Sequence, residues 1–544
     1  MKKLLNSAEW LLILVVALAP VMASFPYRIN IFLSWEGAYR LSQGQIPYKD
    51  FGMPVGYMYW VVPAVFFKIF GAQMITLIKA QAFLNILAGL SFRSIFKSLD
   101  IPQGIRFLSV AVFTLSYTFF NYWPWYNHTV IVYELVGLAF LMKFLVQEEP
   151  SKKAYGWLVA AGAFIFFSFF TKQDGGGLAL LVCLALLVYT AWSSKKWMPL
   201  LVFITAILAT GLLIIVPLLP YGFGYWFNHG QAPHSSRISI TDILREFFVG
   251  SQWLKFYLLL ICLLLFAVIK KNKSFLKNRK SMLLSLLCLG LLAEAAIFQV
   301  TSYVPLDNNI FFHSFAFVFI LSLLSELLPI SFDNWKTVIV ATAGVFIWWS
   351  PVYWKYVERF VLKRDAANYT KITHNGYGYA NVVNKNTFMI ELDTTGIPLS
   401  EWRSPSLRSF HKIMMPGPTV DGIDRLLKMD IVKNKSFKHF LNLTELTPLT
   451  VEVPYELEKG NGYPLWYHKG VALFDKETDM FVQRIDTGHY DIVLYEYIPY
   501  LNNFYPYKIR EALQKHYQKI DSFPAPRFPS SNAWIEVFVK PRGQ

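Results

Sequence analysis

Residues 10–25, WLLILVVALAPVMASF, form an apolar run without a charged side chain. Similar runs recur along the chain, and they approach the length of about 20 residues that crosses the hydrocarbon core of a bilayer. Of the 544 residues, 55% are hydrophobic and only 16% are charged, which is a low charged fraction for a soluble globular protein. The sequence therefore predicts a polytopic α-helical membrane protein. No convincing cleavage site follows residues 10–25, so we expect this first run to remain as a helix.

We predict about eleven transmembrane helices from the apolar runs. One further segment, residues 54–70 (PVGYMYWVVPAVFFKIF), is shorter, contains Pro63 and is rich in Tyr and Trp. It could cross the membrane, or it could lie along the surface as an interfacial helix. The predicted spans are 10–25, 74–92, 106–122, 129–146, 154–170, 177–193, 198–219, 252–270, 281–299, 309–329 and 336–351.

The basic residues decide between these two topologies. If residues 54–70 lie along the outer surface, every basic cluster between spans falls on one side, as the positive-inside bias requires. We therefore predict a cytoplasmic amino terminus and outer juxtamembrane helices, in a membrane that is best matched by the bacterial inner membrane. The basic residues of the cytoplasmic loops then account for the formal net charge of +16. The sequence shows no module that is typical of nucleic-acid binding. The clusters are Lys2 and Lys3; Arg93, Lys97 and Arg106; Lys152 and Lys153; Lys195 and Lys196; and residues 270–280.

Hydropathy falls after residue 354, which predicts two domains: a transmembrane domain over residues 1–354 and an extracytoplasmic domain over residues 355–544. The second domain contains strand-like runs at 490–498 and 533–540 and a helical pattern at 507–520. Runs of these two kinds predict a small α/β domain.

Ionisable residues collect in the loops that this topology places outside, and such groups at a membrane surface often mark a site. Each also has a structural interpretation. Glu36 and Arg40 could be an ordinary surface pair at helical spacing, and Asp50 could form a turn. Lys172 could extend to the lipid headgroups, and His313 could be a hydrogen-bonded helix residue.

The stretch SWEGAYRLSQGQIPYKDFGMPVGYMYW, residues 34–60, resembles the first outer loop of GT-C type glycosyltransferases that use polyprenyl-phosphate sugars. This group includes the protein O-mannosyltransferases and the lipid A aminoarabinose transferase. The shared positions include Glu36, Pro47-Tyr48 and Asp50-Phe51. Two later segments, FFSFFTKQDGGGLAL and DNNIFFHSFAF, resemble family segments and occur in the same order.

The resemblance implies a GT-C-like fold and inverting transfer of a sugar from a polyprenyl-phosphate lipid to an acceptor hydroxyl, in cell-envelope glycan or glycolipid assembly. Glu36 is the candidate base. No nucleotide cofactor is required by the sequence, and a divalent metal stays open because Trp35 stands where many relatives carry a second acid. The candidate residues for the donor phosphate are Lys172, Arg40, His313 and Arg237; those for support of the site are Asp50, Asn127, His128 and Asp307.

Two other functions remain alternatives: a transporter or flippase for lipid-linked glycans, and a membrane ligase or polymerase of a different fold. Transporters tend to place ionisable groups near the bilayer midplane in repeated halves, whereas the unusual charges here lie in outer loops and no repeat is visible. The sequence leaves the sugar and the acceptor open; lipid A, a surface polysaccharide, a protein and another lipid-linked glycan all stay as candidates.

Overall fold

The computed structural model describes residues 2–22, 24–27, 31–118, 122–227, 239–250, 252–302, 310–350, 353–354, 397, 401–460, 463–465, 473–499, 502 and 505–541. Its first part is almost entirely helical. The helices are α1 (Lys2–Leu18), α2 (Ile31–Ser42), α3 (Met58–Phe70), α4 (Met74–Ser98), α5 (Gln103–Thr114), α6 (Tyr126–Leu145), α7 (Tyr155–Thr171), α8 (Gln173–Ser194), α9 (Met198–Ile215), α10 (Ile240–Arg245), α11 (Gln252–Lys271), α12 (Arg279–Ser302), α13 (Ile310–Leu327) and α14 (Trp335–Trp348).

The predicted polytopic helical architecture is confirmed. Within the described residues, eight helices are long and apolar enough to cross a membrane: α1 with its 3-10 extension to Met22, α4, α6, α7, α8, α9, α11 and α12. The runs predicted at 309–329 and 336–351 form the shorter apolar helices α13 and α14. The run predicted at 106–122 forms α5, which continues as a 3-10 turn over Leu115–Thr118.

Aromatic side chains fill the space between α4, α5 and α13. The ring of Phe92 stacks on Phe113 with centroids 4.4 Å apart, and its edge meets Phe315 at 5.1 Å. Phe96 also contacts Phe315, at 5.3 Å. Such offset and edge-to-face pairs are favourable beyond the area that they bury. They fix the relative positions of helices that lie far apart in sequence.

A charged cluster is buried where α1, α4 and α5 meet. The carboxylate of Glu9 accepts hydrogen bonds from Nε of Arg93 at 2.6 Å and from Nε of Arg106 at 3.0 Å. The Glu9 residue is fully buried, and both arginines are nearly so. In the sequence, the two arginines indicate only the topology of the chain. In the structure, their pairing with Glu9 also joins three helices.

The second part of the chain forms the predicted α/β domain. A four-stranded sheet has the order β4 (Phe440–Leu443), β5 (Ile492–Tyr497), β7 (Trp534–Val539), β6 (Gln518–Pro524). Strands β4 and β5 are parallel, and β7 is antiparallel to both of its neighbours. The two predicted strands are β5 and β7, whereas the predicted helix at 507–520 ends at His516 and the chain continues into β6. The helices are α15 (Gly417–Lys428), α16 (Asp430–Lys433), α17 (Leu449–Glu452), α18 (Phe474–Asp486), α19 (Tyr507–His516) and α20 (Phe528–Ser531).

The segment between α1 and α3 packs into this second domain. Strand β1 (Phe25–Pro26) pairs in parallel with β3 (Ile413–Pro416), which also pairs with β2 (Trp402–Arg403). The hydroxyl of Tyr27 donates to the carbonyl of Glu445 at 2.6 Å. A single hydrophobic cluster contains side chains from both parts of the chain. The first loop and the α/β domain therefore share one core.

This shared core constrains the topology. The first loop and the α/β domain lie on the same side, so an even number of crossings must separate them. The predicted spans after α1, which correspond to α4 to α9 and α11 to α14, supply ten, and a crossing by α3 would make the number odd. The length of α3, 13 residues, does not distinguish it from α5 and α14, which have 12 and 14 residues. The even number of crossings is therefore the observation that favours a helix α3 that does not cross.

The loop that follows α9 packs against this junction through Tyr225. Its ring packs against Gly52, where an added Cβ would lie 2.8 Å from the ring, and its hydroxyl donates to Oε1 of Glu477 on α18 at 3.2 Å. Burial raises the pKa of Glu477 from 4.5 to about 8, although the hydrogen bond from Tyr225 and the charge of Lys476 oppose the shift. The protonated carboxyl is therefore the form that suits the folded state.

We predict that Glu477 makes stability fall as the pH rises. Its pKa in the folded state lies above its ordinary value, so the unfolded chain holds fewer protons between pH 4.5 and about 8, and the contribution of this group declines across that window. In detergent, Glu477→Gln should flatten the fall of the melting temperature between these pH values. The control is Asp479→Asn, an exposed acid on the same helix; equal slopes for wild type and Glu477→Gln would contradict the prediction.

Candidate active site at the junction of the first loop and the α/β domain

Glu36 and Arg40 lie one turn apart on α2 and form a buried ion pair. Nε of Arg40 donates to Oε1 of Glu36 at 2.8 Å. Glu36 is 5% exposed and Arg40 is 0% exposed. They are therefore not the exposed surface pair that helical spacing alone would also allow. A buried carboxylate and guanidinium are tolerated when their remaining polar atoms are also satisfied.

The remaining contacts to Arg40 come from the first loop and from the α/β domain. Its Nη1 donates to the backbone carbonyl of Glu458 and to Oε1 of Gln45, each at 2.8 Å. The guanidinium also lies over the ring of Tyr463, 4.6 Å from the centroid, an arrangement that favours a cation. The position of the Glu36 carboxylate therefore depends on a segment more than 400 residues away in the chain.

Glu36 faces a small cavity of about 30 Å³, which is room for about two water molecules. The first loop forms one wall of this cavity and the α/β domain forms the others. The wall is mixed, with aromatic rings, hydroxyl and amide groups and both signs of charge. The lining residues are Phe32, Glu36, Asn442, Leu443, Thr444, Glu445, Tyr463, Pro464, Leu465, Tyr505 and Arg527.

On the domain side, Arg527 holds two buried carboxyl groups. Its Nη2 donates to Oε1 of Glu445, and its Nε lies 3.3 Å from Oε1 of Glu496. Glu496 also accepts a hydrogen bond from the backbone N–H of Glu445 at 2.9 Å. Burial and the charge of Glu445 raise the pKa of Glu496, although Arg527 opposes the shift.

Lys172 is the single residue between α7 and α8, and its backbone is extended there. Its Nζ lies 3.2 Å from Oδ2 of Asp174. The ammonium also lies 5.3 Å from the ring centroid of Phe298 and 5.6 Å from that of Tyr126. The side chain is only 16% exposed, so it is held among these groups instead of extending freely to the headgroups.

The first loop reaches the turn that contains Lys172. Gly56 packs on Phe170, whose carbonyl oxygen would lie 1.5 Å from an added Cβ, so a larger residue does not fit there. The ring of Tyr57 meets Phe170 edge-on at 5.2 Å. Tyr59 contacts Tyr126 at 5.9 Å, the same ring that faces Lys172. Glu36 and Lys172 therefore belong to loops that pack together on one face.

Three of the four predicted supporting residues, Asp50, Asn127 and His128, lie within the described residues. Oδ2 of Asp50 accepts a hydrogen bond from the N–H of Ile46 at 2.7 Å, as a turn-forming carboxylate does. Nδ1 of His128 lies 2.8 Å from Nε2 of Gln81 on α4. Asn127 is half-buried, and its Oδ1 has no hydrogen-bond partner among the described residues.

His313 packs against α11. Its Nδ1 lies 2.9 Å from the hydroxyl of Tyr257, and its ring contacts that of Trp253 at 4.1 Å. Both partners are on α11, so the described contacts of His313 fit the alternative of a hydrogen-bonded helix residue. Arg237 and Asp307 lie outside the described residues. In the part of the chain that the structure describes, no group of three His, Cys, Asp or Glu side chains is arranged to hold a metal ion.

Sequence reasoning missed the side of the site that the α/β domain provides. Glu445, Tyr463, Tyr505 and Arg527 follow no motif in the sequence, and they reach Glu36 only through the tertiary fold.

Two solved structures are similar to this chain over nearly its whole length. The crystal structure of ArnT from Cupriavidus metallidurans in the apo state is 12% identical, covers 98% of this chain and 97% of that chain, and has a TM-score of 0.48. The structure of ArnT bound to undecaprenyl phosphate is 12% identical, covers 99% and 98%, and has a TM-score of 0.46. No family model and no curated protein match the sequence.

We predict that Arg40→Ala destabilises the protein strongly. The change leaves the buried carboxylate of Glu36 and the carbonyl of Glu458 without their donor, and breaking a buried pair in this way costs about 3–5 kcal/mol. The matched control is Arg425→Ala, whose pair with Asp521 is half exposed and should cost about 0–1 kcal/mol. Denaturant unfolding in detergent measures both, and similar losses for the two variants would contradict a central role for Arg40.

Proposed function

We propose that this protein transfers a sugar from a polyprenyl-phosphate lipid to an acceptor hydroxyl at the outer face of the membrane, in the manner of GT-C glycosyltransferases. One observation carries the proposal most directly. A buried, cation-paired carboxylate, Glu36, faces a polar cavity on the membrane face that also holds Lys172. A base and a phosphate-binding cation on one face are the two groups that this reaction needs.

The proposed reaction is a single displacement at the anomeric carbon of the donor sugar. The acceptor hydroxyl loses its proton to Glu36 while its oxygen bonds to the anomeric carbon of the sugar. The bond between that carbon and the phosphate oxygen breaks, and the electron pair leaves with the polyprenyl phosphate. A displacement of this kind inverts the anomeric configuration. A positioned base of this kind contributes typically about 100- to 10,000-fold to the rate.

The contacts of Arg40 and Lys172 suggest different tasks. Arg40 is already committed to Glu36 and to the carbonyl of Glu458, so we assign it the positioning of the base in place of the predicted phosphate contact. Lys172 supplies an ammonium at the junction of two spans, and a compact ammonium suits the growing charge on the leaving phosphate. Asp174 holds it there until donor binds. Arg237 remains a prediction for the same phosphate, whereas the contacts of His313 favour a structural role.

The transporter alternative has one observation in its favour. Glu134 on α6 and Glu294 on α12 are buried inside the helix bundle and lie close enough to interact. Ionisable groups at such a depth are costly and often line a substrate path. The two functions differ in whether the bond between sugar and phosphate is broken, so one assay separates them.

We predict that Glu36→Gln lowers the single-turnover rate of sugar transfer from defined polyprenyl-phosphate sugars by at least about 100-fold. The amide keeps the size of the side chain but accepts no proton. Lys172→Ala should mainly weaken the use of donor, seen as a higher donor concentration at half-maximal rate. Both variants are measured in nanodiscs, with melting temperatures recorded in parallel.

Two controls make this assay specific. Glu536→Gln removes a carboxylate that is equally buried and paired with Arg510 but does not line the cavity, so its transfer rate should stay near wild type. If the protein is a transferase, Glu134→Gln should also keep its transfer rate. If it is a transporter, this variant should lose lipid translocation, and neither wild type nor any variant should cleave the donor. Full transfer by Glu36→Gln would show that the base is assigned wrongly.

The outer-face placement is tested separately. We propose a cytoplasmic amino terminus and an extracytoplasmic α/β domain. A reporter that is active only in the cytoplasm, fused after residue 100 in the link between α4 and α5, should give a signal. The same reporter fused after residue 541 should give none. Activity at the second position and not at the first would reverse the orientation.

A further inference from the structure

We propose that the cavity in front of Glu36 binds the edge of a neutral carbohydrate acceptor, and that Tyr463 and Tyr505 of the α/β domain recognise its hydroxyl groups. The inference rests on the proposed function, which leaves the chemical class of the acceptor open. Phosphorylated glycolipids and hydroxyl-bearing peptides are the competing classes. Charge, hydrogen-bonding capacity and size of the cavity each favour the neutral carbohydrate.

The charges around the cavity disfavour a phosphate. Both guanidinium groups there are bound to carboxyl groups: Arg40 to Glu36, and Arg527 to Glu445 and Glu496. Among the described residues that line the cavity, carboxyl groups outnumber guanidinium groups and no lysine is present. An anionic acceptor would therefore have to displace a carboxyl group from one of these guanidinium groups to gain a cationic partner, whereas an uncharged one would not.

Two tyrosine hydroxyl groups in the wall of the cavity are available to form hydrogen bonds with a ligand. Tyr463 is 7% exposed and Tyr505 is 8% exposed, and neither hydroxyl has a hydrogen-bond partner among the described residues. Burial raises the pKa of both well above the ordinary value, with Glu36 and Glu496 among the charges that add to it. Both therefore stay protonated and can donate to, or accept from, a hydroxyl group. Neither hydroxyl is among the fully buried polar atoms that lack a partner, and both residues line the cavity, so a ligand hydroxyl can take the place of water at each of them.

The size and the aromatic walls fit the edge of a sugar ring. The space for about two waters is enough for two adjacent hydroxyl groups on one edge of a ring. Phe32, Tyr463 and Tyr505 offer ring faces against which the C–H groups of a pyranose can pack. A hydroxyl group seated here lies beside Glu36, the proposed base, so recognition and deprotonation would occur in one place. A peptide hydroxyl on a single side chain would leave the second position unfilled.

The test measures binding of small probes to the full chain in nanodiscs by saturation-transfer NMR. The probes are methyl glycosides of common neutral hexoses, the matching sugar phosphates, and a short peptide rich in Ser and Thr. We expect a neutral methyl glycoside to bind best. The double change Tyr463→Phe and Tyr505→Phe, which keeps both rings, should weaken its binding by about tenfold, since each lost hydrogen bond is worth a few-fold.

The matched control is Tyr517→Phe, which removes a hydroxyl group that donates to the carbonyl of Tyr490 at 2.7 Å and lies away from the cavity. Its binding should equal that of wild type. Stronger binding of a sugar phosphate or of the peptide, or unchanged binding in the double variant, would overturn the proposal.

Transfer assays separate this proposal from the proposed function. If polyprenyl-phosphate sugars are consumed through Glu36 but the double variant keeps the wild-type KM for a neutral glycan acceptor, the acceptor assignment fails alone. If no donor is consumed and a neutral glycoside still binds through the two tyrosines, the transferase function fails and the carbohydrate site stands.

Discussion

The buried pair between Glu36 and Arg40 is the interaction on which the rest of the site depends. A guanidinium with no exposure must find all of its partners inside the protein, and Arg40 finds one of them in the backbone of Glu458. That requirement ties the first loop to a segment near the other end of the chain. The carboxylate that we propose as the base is thus held by a contact that exists only when both parts of the chain are folded together.

The same tie organises the architecture. The first loop and the α/β domain share a core and a short sheet, so they must lie on one side of the membrane. An even number of crossings between them follows from this constraint. The loops that carry Lys172 and Tyr225 then meet the first loop through Gly56 and Gly52, two positions where a side chain would collide with its neighbour. The site is therefore a product of loop packing above the bundle.

Much of this arrangement could be predicted from the sequence, and the remainder could not for a physical reason. Apolar runs and basic clusters predict most of the helices, and the alternation of residues predicts β5 and β7. Glu36 and Lys172 could be selected because their segments resemble those of GT-C glycosyltransferases. The places of Glu445 and Arg527 beside Glu36 depend on contacts between segments that lie hundreds of residues apart, for which no local pattern exists. The contact of His313 with Tyr257 on α11 could not be predicted for the same reason.

The most direct measurement is a cryo-electron-microscopy structure of the full chain with a non-cleavable polyprenyl-phosphonate sugar. We expect the phosphonate to lie within salt-bridge distance of Lys172 Nζ, about 4 Å. The anomeric carbon should face the cavity, so that an acceptor hydroxyl there lies about 3 Å from the Glu36 carboxylate. A headgroup seated inside the bundle beside Glu134 and Glu294, with the Glu36 cavity empty and facing away from the sugar, would contradict it.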